Sequence, residues 1–325
     1  MISFKRPSLS IVNLVKIIKN WKIVIIGANP DIDKNWKRFK FSNKLFYISI
    51  KEQIRLNYKI SKYIKYNSYF RKSIGYLYAI QHGAKEIYEL DENLEIKDIN
   101  HLYENLNNKK VSYGKRNDDM MINPFFYFGE KNIWPRGFRI NNLGRDDRNE
   151  FYLINSGNIG LKPLVYQGLI NIYPDIDYIF FLTKIRGKKY YFSKNYPLVY
   201  LPGNYIPINS KNTRYLYEAF LLLMFFISLD ERIADIWRGY IIQFFIWKYE
   251  GCVVYHNSEI FQYKISDDAT NLFKEKKNYF DIDRFLNILN SNEEDKNLLD
   301  LIKLLIKHKI LKQIDFKIYK TFIIY

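Results

Sequence analysis

The stretch Glu89-Leu90-Asp91-Glu92 carries three carboxylates within four residues. Residues two apart on a strand face the same side. Glu89 and Asp91 therefore point together from the end of the run Glu86 to Asp91, with Glu92 just beyond. In parallel α/β sheets the C-terminal ends of strands are where ligands bind. Carboxylates placed there suit a hard divalent ion, Mn²⁺ or Mg²⁺, which takes oxygen ligands and leaves positions open for phosphate oxygens. Spacing alone equally allows a solvated acidic turn.

Other residues supply complementary charge. Arg71 and Lys72 open a helical pattern, where cations and helix N–H groups together favour phosphate. Trp134-Pro135-Arg136-Gly137 places an indole and a guanidinium in one loop, a pair suited to stacking on a base or sugar and to holding an anion. Asp235 and Arg238 lie three apart and share a helix face. Asp235 could position or deprotonate an acceptor hydroxyl, and Arg238 could bind phosphate; a structural ion pair accounts for the same spacing. Plain surface cations and a structural corner are the alternatives for Arg71-Lys72 and Trp134-Arg136. Pro174-Asp175-Ile176-Asp177 reads as a turn before a strand. His82 reads as a core histidine and His256 as a weak ligand candidate.

These side chains need elements to hold them. Lys22 to Gly27 is a β-branched run closed by glycine, followed by the turn Asn29-Pro30-Asp31, so Gly27 and Asn29 stand at a nucleotide-binding edge. Leu45 to Ile50 predicts a second strand and Lys51 to Tyr66 a basic helical connection. Arg71 to Ala84 predicts a helix with a stripe of small residues, Gly75, Ala79 and Gly83. With Glu86 to Asp91 as the next strand, the order implies a parallel α/β sheet. Residues 107–160 predict mostly loops, and Asp177 to Thr183 a buried strand. Thr213 to Ser228 and Ile233 to Glu250 predict helices. From Glu259 onward the pattern is helical, clearest at Leu298 to Leu311.

Composition narrows the classes. The 325 residues are 48% hydrophobic and 26% charged, which is globular rather than disordered. One cysteine, Cys252, makes no intrachain disulfide, and four histidines beside it build no zinc finger. The longest apolar run, Ala219 to Ile227, is far short of the ~20 residues that span a bilayer. Lysines interrupt the first 22 residues, which argues against a secretory signal. The expectation is a soluble, cytoplasmic protein. Net charge is +17, and residues 1–72 hold 13 Lys and 4 Arg against 3 acids, a net +14. That block attracts polyanions or a nucleotide diphosphate. No nucleic-acid motif accompanies it, so nucleic acid is not the expected partner.

Taken in order, several segments resemble the STELLO-type glycosyltransferases. They are Trp21 to Val24 with Gly27, Arg71-Lys72 through Ala84, Ile87 to Asn93, Asn123-Pro124 with Phe128-Gly129, and Trp134 to Gly137. Pro174 to Asp177, Asn209-Ser210 with Asn212-Thr213, and Asp235 to Tyr240 complete the order. The resemblance runs from about Trp21 to about Val254. It implies an α/β fold of GT-A type: a Rossmann-like domain with a central mixed, mostly parallel sheet, and a helical C-terminal region. The expected division is an extension over 1–20, the GT-A-like domain over 21–258 and a helical extension over 259–325. The resemblance further implies a nucleotide-sugar donor, a UDP-sugar by expectation, an unknown glycan, protein or small-molecule hydroxyl acceptor, and Mn²⁺ or Mg²⁺ on Asp91 with Glu89 or Glu92. The acidic run is shorter here than is usual in that family, Asp91 being followed by Glu92 and Asn93. A non-catalytic relative that binds or scaffolds is therefore the second reading, and a polyanion-binding protein the third.

Overall fold

The computed structural model describes the chain apart from residues 38–41, 101–105, 107–108, 116–120, 131, 143–149, 185–187, 194, 265–267, 292–296 and 323–325. A three-stranded parallel sheet, β1-β2-β3, contains β1 (Ile2–Ser3), β2 (Ile23–Gly27) and β3 (Leu45–Ile48). Helices α1 (Leu9–Ile17), α2 (Pro30–Lys37) and α3 (Ile50–Arg55) follow these strands in turn. β2 is built of β-branched residues that bury well on a pleated surface. α3 begins at a capping box in which Ser49 and Glu52 satisfy each other's backbone N–H groups. The strand expected over 45–50 thus stops at Ile48, because Ser49 caps a helix.

The next helix, α4 (Lys72–Gln81), lies against β2. A Cβ on Gly75 would meet Ile26 at 3.1 Å, so the glycine lets helix and strand approach. It leads into β4 (Glu86–Leu90), and β5 (Leu94–Ile96) comes after. Within residues 107–160, expected to be mostly loops, the structure places β6 (Lys110–Lys115), the short α5 (Pro124–Tyr127) and β7 (Glu150–Asn155). Then come β8 (Lys162–Gly168), β9 (Asn171–Ile172), α6 (Tyr178–Lys184), β10 (Leu198–Tyr200) and β11 (Asn212–Leu216). α7 (Glu231–Trp247), β12 (Gly251–His256), β13 (Ile260–Gln262), α8 (Thr270–Asn290), α9 (Leu298–Lys307) and α10 (Gln313–Phe322) complete the described elements.

The large sheet has the order β4-β11-β8-β12-β10-β6-β7. It is mixed: β8/β12 and β10/β6 are parallel, and the other four pairs antiparallel. A small sheet, β5-β13-β9, completes the α/β architecture. The parallel pairing implied by the order β2, α4, β4 is not formed, since β2 and β4 belong to different sheets.

Two segments differ from expectation for identifiable reasons. Residues 177–183 form a helix, because the Asp177 carboxylate accepts from the N–H groups of Ile179 and Phe180 and so starts α6. Residues 213–228 open as β11, which bridges β4 and β8, and continue as a 3₁₀ helix at Tyr217–Leu222. β11 is buried although Asn212, Thr213 and Arg214 are polar, and the apolar run Ala219 to Ile227 lies beyond it, starting in the 3₁₀ helix.

Helix α7 is buried on nearly every side. A Cβ on Gly239 would sit 2.8 Å from the carbonyl oxygen of Ile208, so no larger residue fits at this contact. α8 packs along α7 with Phe285 stacked on Trp237 at a ring separation of 4.4 Å, and α10 brings Tyr319 onto Phe226. At the other end of the chain, Ile11 and Leu14 of α1 join Ile23, Leu90 and Ile260 in one apolar cluster.

Candidate active site

Asp91 follows the last residue of β4, and its carboxylate lies beside the ammonium of Lys72 at 2.7 Å. The Tyr69 hydroxyl also donates to Asp91. Lys72 donates to the Ser210 carbonyl at 2.7 Å and to the Tyr69 oxygen at 2.5 Å, and stands 3.5 Å from Glu89. The first residue of α4 is thereby tied to the end of β4 and to the turn before β11. Burial pushes the Lys72 ammonium down to about 8, against the pull of Glu89.

Glu89 faces inward. Its Oε2 receives Arg238 at 2.8 Å and its Oε1 receives the Tyr76 hydroxyl. Arg238 also donates to the Leu223 carbonyl at 2.8 Å, and its guanidinium lies 4.2 Å from the centre of the Phe225 ring. A second group adjoins the first. Arg136 donates to both oxygens of Asp175 and both of Asp235, at 2.7 to 3.1 Å. Asp235 also accepts from the backbone and hydroxyl of Ser210 at 3.0 Å each. Lys211 reaches Asp175 at 2.9 Å.

These bonds fix the protonation states. Burial opposes ionisation of Asp235 and Asp175, but Arg136 outweighs it and holds both below the usual carboxylate range. Asp91 behaves in the opposite way: burial pushes it up to about 7, Lys211 opposes, and the charges of Asp235 and Asp175 add to the rise.

The structure thus gathers Lys72, Glu89, Asp91, Arg136, Asp235 and Arg238 and gives them unequal freedom. Glu89, expected as a metal ligand, has both oxygens bonded to cations or hydroxyls. Arg238, expected to bind phosphate, gives its Nη1 and Nη2 donors to Glu89, Leu223 and the hydroxyls of Tyr76 and Tyr215. Asp235, expected as a base, has both oxygens occupied by Arg136 and Ser210. Arg136, expected to bind the donor, is buried between Asp175 and Asp235. Arg71 points elsewhere. It donates to the carbonyls of Lys65 and Ile64 and to Gln53, in the wall of a separate cavity of about 350 Å³.

Trp134 is half-buried, packed on Phe180 at 5.2 Å, and Asp177 N–H donates to its carbonyl. Gly27 closes β2 against the Tyr47 hydroxyl and Asp33, where a Cβ would stand 2.4 Å from the hydroxyl. Asn29 accepts from the N–H groups of Asp31 and Ile32. Glu92 accepts from the N–H of Phe4 at 3.1 Å. His82, expected in the core, is exposed and stacked on Tyr78 at 3.9 Å. The imidazole of His256 is driven by burial down to about 4 and lies 2.9 Å from the Asn257 carbonyl oxygen.

A cavity of about 860 Å³ lies between β2, α4 and β4 and reaches Lys72 and Glu89. Asp91 and Lys211 are not among the residues of its wall. Sequence reasoning missed Tyr69, Tyr76, Ser210 and Lys211 as members of the cluster. Tyr76, Ser210 and Lys211 lay within recognised segments, whereas Tyr69 carries no spacing signal.

Among the described residues no group of three His, Cys, Asp or Glu side chains could hold a metal ion. Of the carboxylates around Lys72 and Arg136, Asp91 remains partly exposed, at 12%. Mg²⁺-type ions are commonly held by one or two carboxylates plus substrate phosphates, so the donor set suits an ion brought with a diphosphate.

No protein-family profile matches the chain. Two curated relatives from Arabidopsis thaliana do. The chain is 30% identical over 332 residues to Probable glycosyltransferase STELLO2, covering 96% of this chain and 42% of that protein. It is 34% identical over 263 residues to Probable glycosyltransferase STELLO1, covering 77% of this chain and 33% of that protein. The chain spans less than half the length of these relatives. No helix among the described residues is long and apolar enough to cross a membrane. Through a match that takes in nearly all its length, the chain is a STELLO-type sequence, homologous to proteins named as glycosyltransferases.

Proposed function

We propose that the chain is a glycosyltransferase that moves a sugar from a nucleotide-sugar donor, a UDP-sugar as first choice, to a hydroxyl acceptor. The supporting observation is Asp91. It is a carboxylate just beyond the C-terminal end of the edge strand β4, partly exposed where its neighbours Glu89, Asp175 and Asp235 are buried. Asp91 would hold Mn²⁺ or Mg²⁺ with the donor diphosphate completing the shell. Such an ion neutralises charge on the departing diphosphate. Lys72 orients Asp91, and the Arg136 pair holds the Ser210 turn that receives Lys72.

A thermal-shift screen of UDP- and GDP-sugars, with and without Mn²⁺, tests this reading. Ligand that binds only the folded state raises the melting temperature. The expected result is a Mn²⁺-dependent rise with one nucleotide in the parent, lost in Asp91→Asn. No rise with any donor would overturn it. The occupation of Glu89 and Asp235 by structural bonds favours a second reading, a protein that binds the donor without transferring it. Binding without release of nucleoside diphosphate in the presence of candidate acceptors would select that reading.

A further inference from the structure

We propose that Lys211 is the side chain that takes hold of the donor's diphosphate, exchanging Asp175 for the ligand; this rests on the nucleotide-sugar reading above. The four cations of the cluster differ in what they could release. Lys72 gives hydrogen bonds to Asp91, Tyr69 and the Ser210 carbonyl. Arg136 holds two carboxylates and the carbonyl of Arg232. Arg238 holds Glu89, a carbonyl and two hydroxyls. Withdrawing any of these would leave a buried carboxylate or carbonyl unpaired, which is costly.

Lys211 is different. Its side chain is 16% exposed, against 1–4% for the other three. Asp175 keeps three contacts from Arg136 when Lys211 departs. The ammonium can therefore move to a ligand without orphaning its partner, and its four-carbon stem permits the swing. The backbone beneath it is fixed. Lys211 N–H donates to Asn209 at 3.0 Å, Ser210 is bonded to Asp235, and the Asn212 amide donates to Leu169 and Ser258. The carbonyl just before it, that of Ser210, receives Lys72, which also holds Asp91, so the turn that carries Lys211 is tied to that carboxylate. A diphosphate arriving there meets one mobile cation on a rigid turn.

Titration calorimetry on the full chain with Mn²⁺, using UDP, GDP, UMP and GMP, tests the assignment. For whichever nucleotide binds the parent, Lys211→Gln is expected to weaken the diphosphate about tenfold, the order of a charged hydrogen bond, and the monophosphate much less. Lys211→Arg is expected to restore most of the difference. Equal loss for both nucleotides, or loss for neither, would overturn it. Should Lys211→Gln fail to fold, Asp175→Asn gives a reading of opposite sign. Freeing the ammonium tightens diphosphate relative to monophosphate, and a variant that does not do so overturns the assignment. A parent that binds none of the four nucleotides overturns the nucleotide reading itself, and this assignment with it.

Discussion

Glu89 and Arg238 sit 149 residues apart in sequence and are each about 1% exposed, with their charges 2.8 Å apart. Neither has water to fall back on. Removing one partner strands the other, a loss of about 3–5 kcal/mol, whereas replacing both with apolar residues of similar volume can be nearly neutral. Glu89→Gln is therefore expected to lower stability in urea unfolding by about that amount, and Glu89→Leu with Arg238→Met to recover much of it. If the single variant unfolds like the parent, the pair contributes little to stability. The types of these residues were legible in the sequence, but their mutual assignment was not. Asp235 and Arg238 were the near neighbours by helical spacing, yet the structure gives Arg238 to Glu89 and Asp235 to Arg136. Spacing along a helix says which residues share a face and nothing about the distant partner that reaches it first.

Helix α7 and the segment ending at Ile208 meet at Gly239. A methyl group there would press on backbone rather than on a side chain that can turn away. Gly239→Ala is expected to cost about 1–3 kcal/mol by overpacking, read as a lower midpoint in urea. At the start of α6, Asp177 is raised to about 6 by burial and by the charge of Glu275, despite the N–H groups it caps. Its folded value lies above the ordinary 3.8, so the folded state binds the proton more tightly. The resulting stability is present below pH 4 and is lost as pH rises through about 6. Asp177→Asn keeps the cap without the charge. Melting temperatures of the variant and the parent should diverge between pH 4 and 6, with the variant ahead at the upper end. Parallel curves would place the Asp177 carboxyl at an ordinary value. The cap itself was written in the sequence as Asp before an apolar run, but that run reads equally as a buried strand. Only the N–H partners distinguish the two. For β11 the ambiguity resolved the other way, because β4 and β8 offer it ladders on both sides.

At the level of the whole chain, the α/β class was readable from β2, α4 and β4. The order of the large sheet was not, since six of its seven strands come later and only β6 and β7 pair as neighbours in sequence. The C-terminal helices are part of the same packing. α8 gives Glu275 to Arg232, Asn278 to the Trp237 indole and Phe285 to its face. A chain ending at residue 258 is expected to lose its cooperative melting transition, because it would expose Trp237 and uncap the back of α7. A sharp transition retained by that fragment would show that α8–α10 are dispensable for the fold. The long separations carry one more consequence, for the ribosome. Lys72 finds its carbonyl at Ser210, 138 residues later, and Glu89 finds Arg238 after 149. At about 5–20 residues per second of synthesis, the nascent chain carries these charges without their partners for on the order of 10 seconds. Through that interval Lys72 has only Tyr69, Glu89 and Asp91, and Glu89 only Tyr76 and Lys72, so the junction of α4 and β4 is completed only after α7 has emerged.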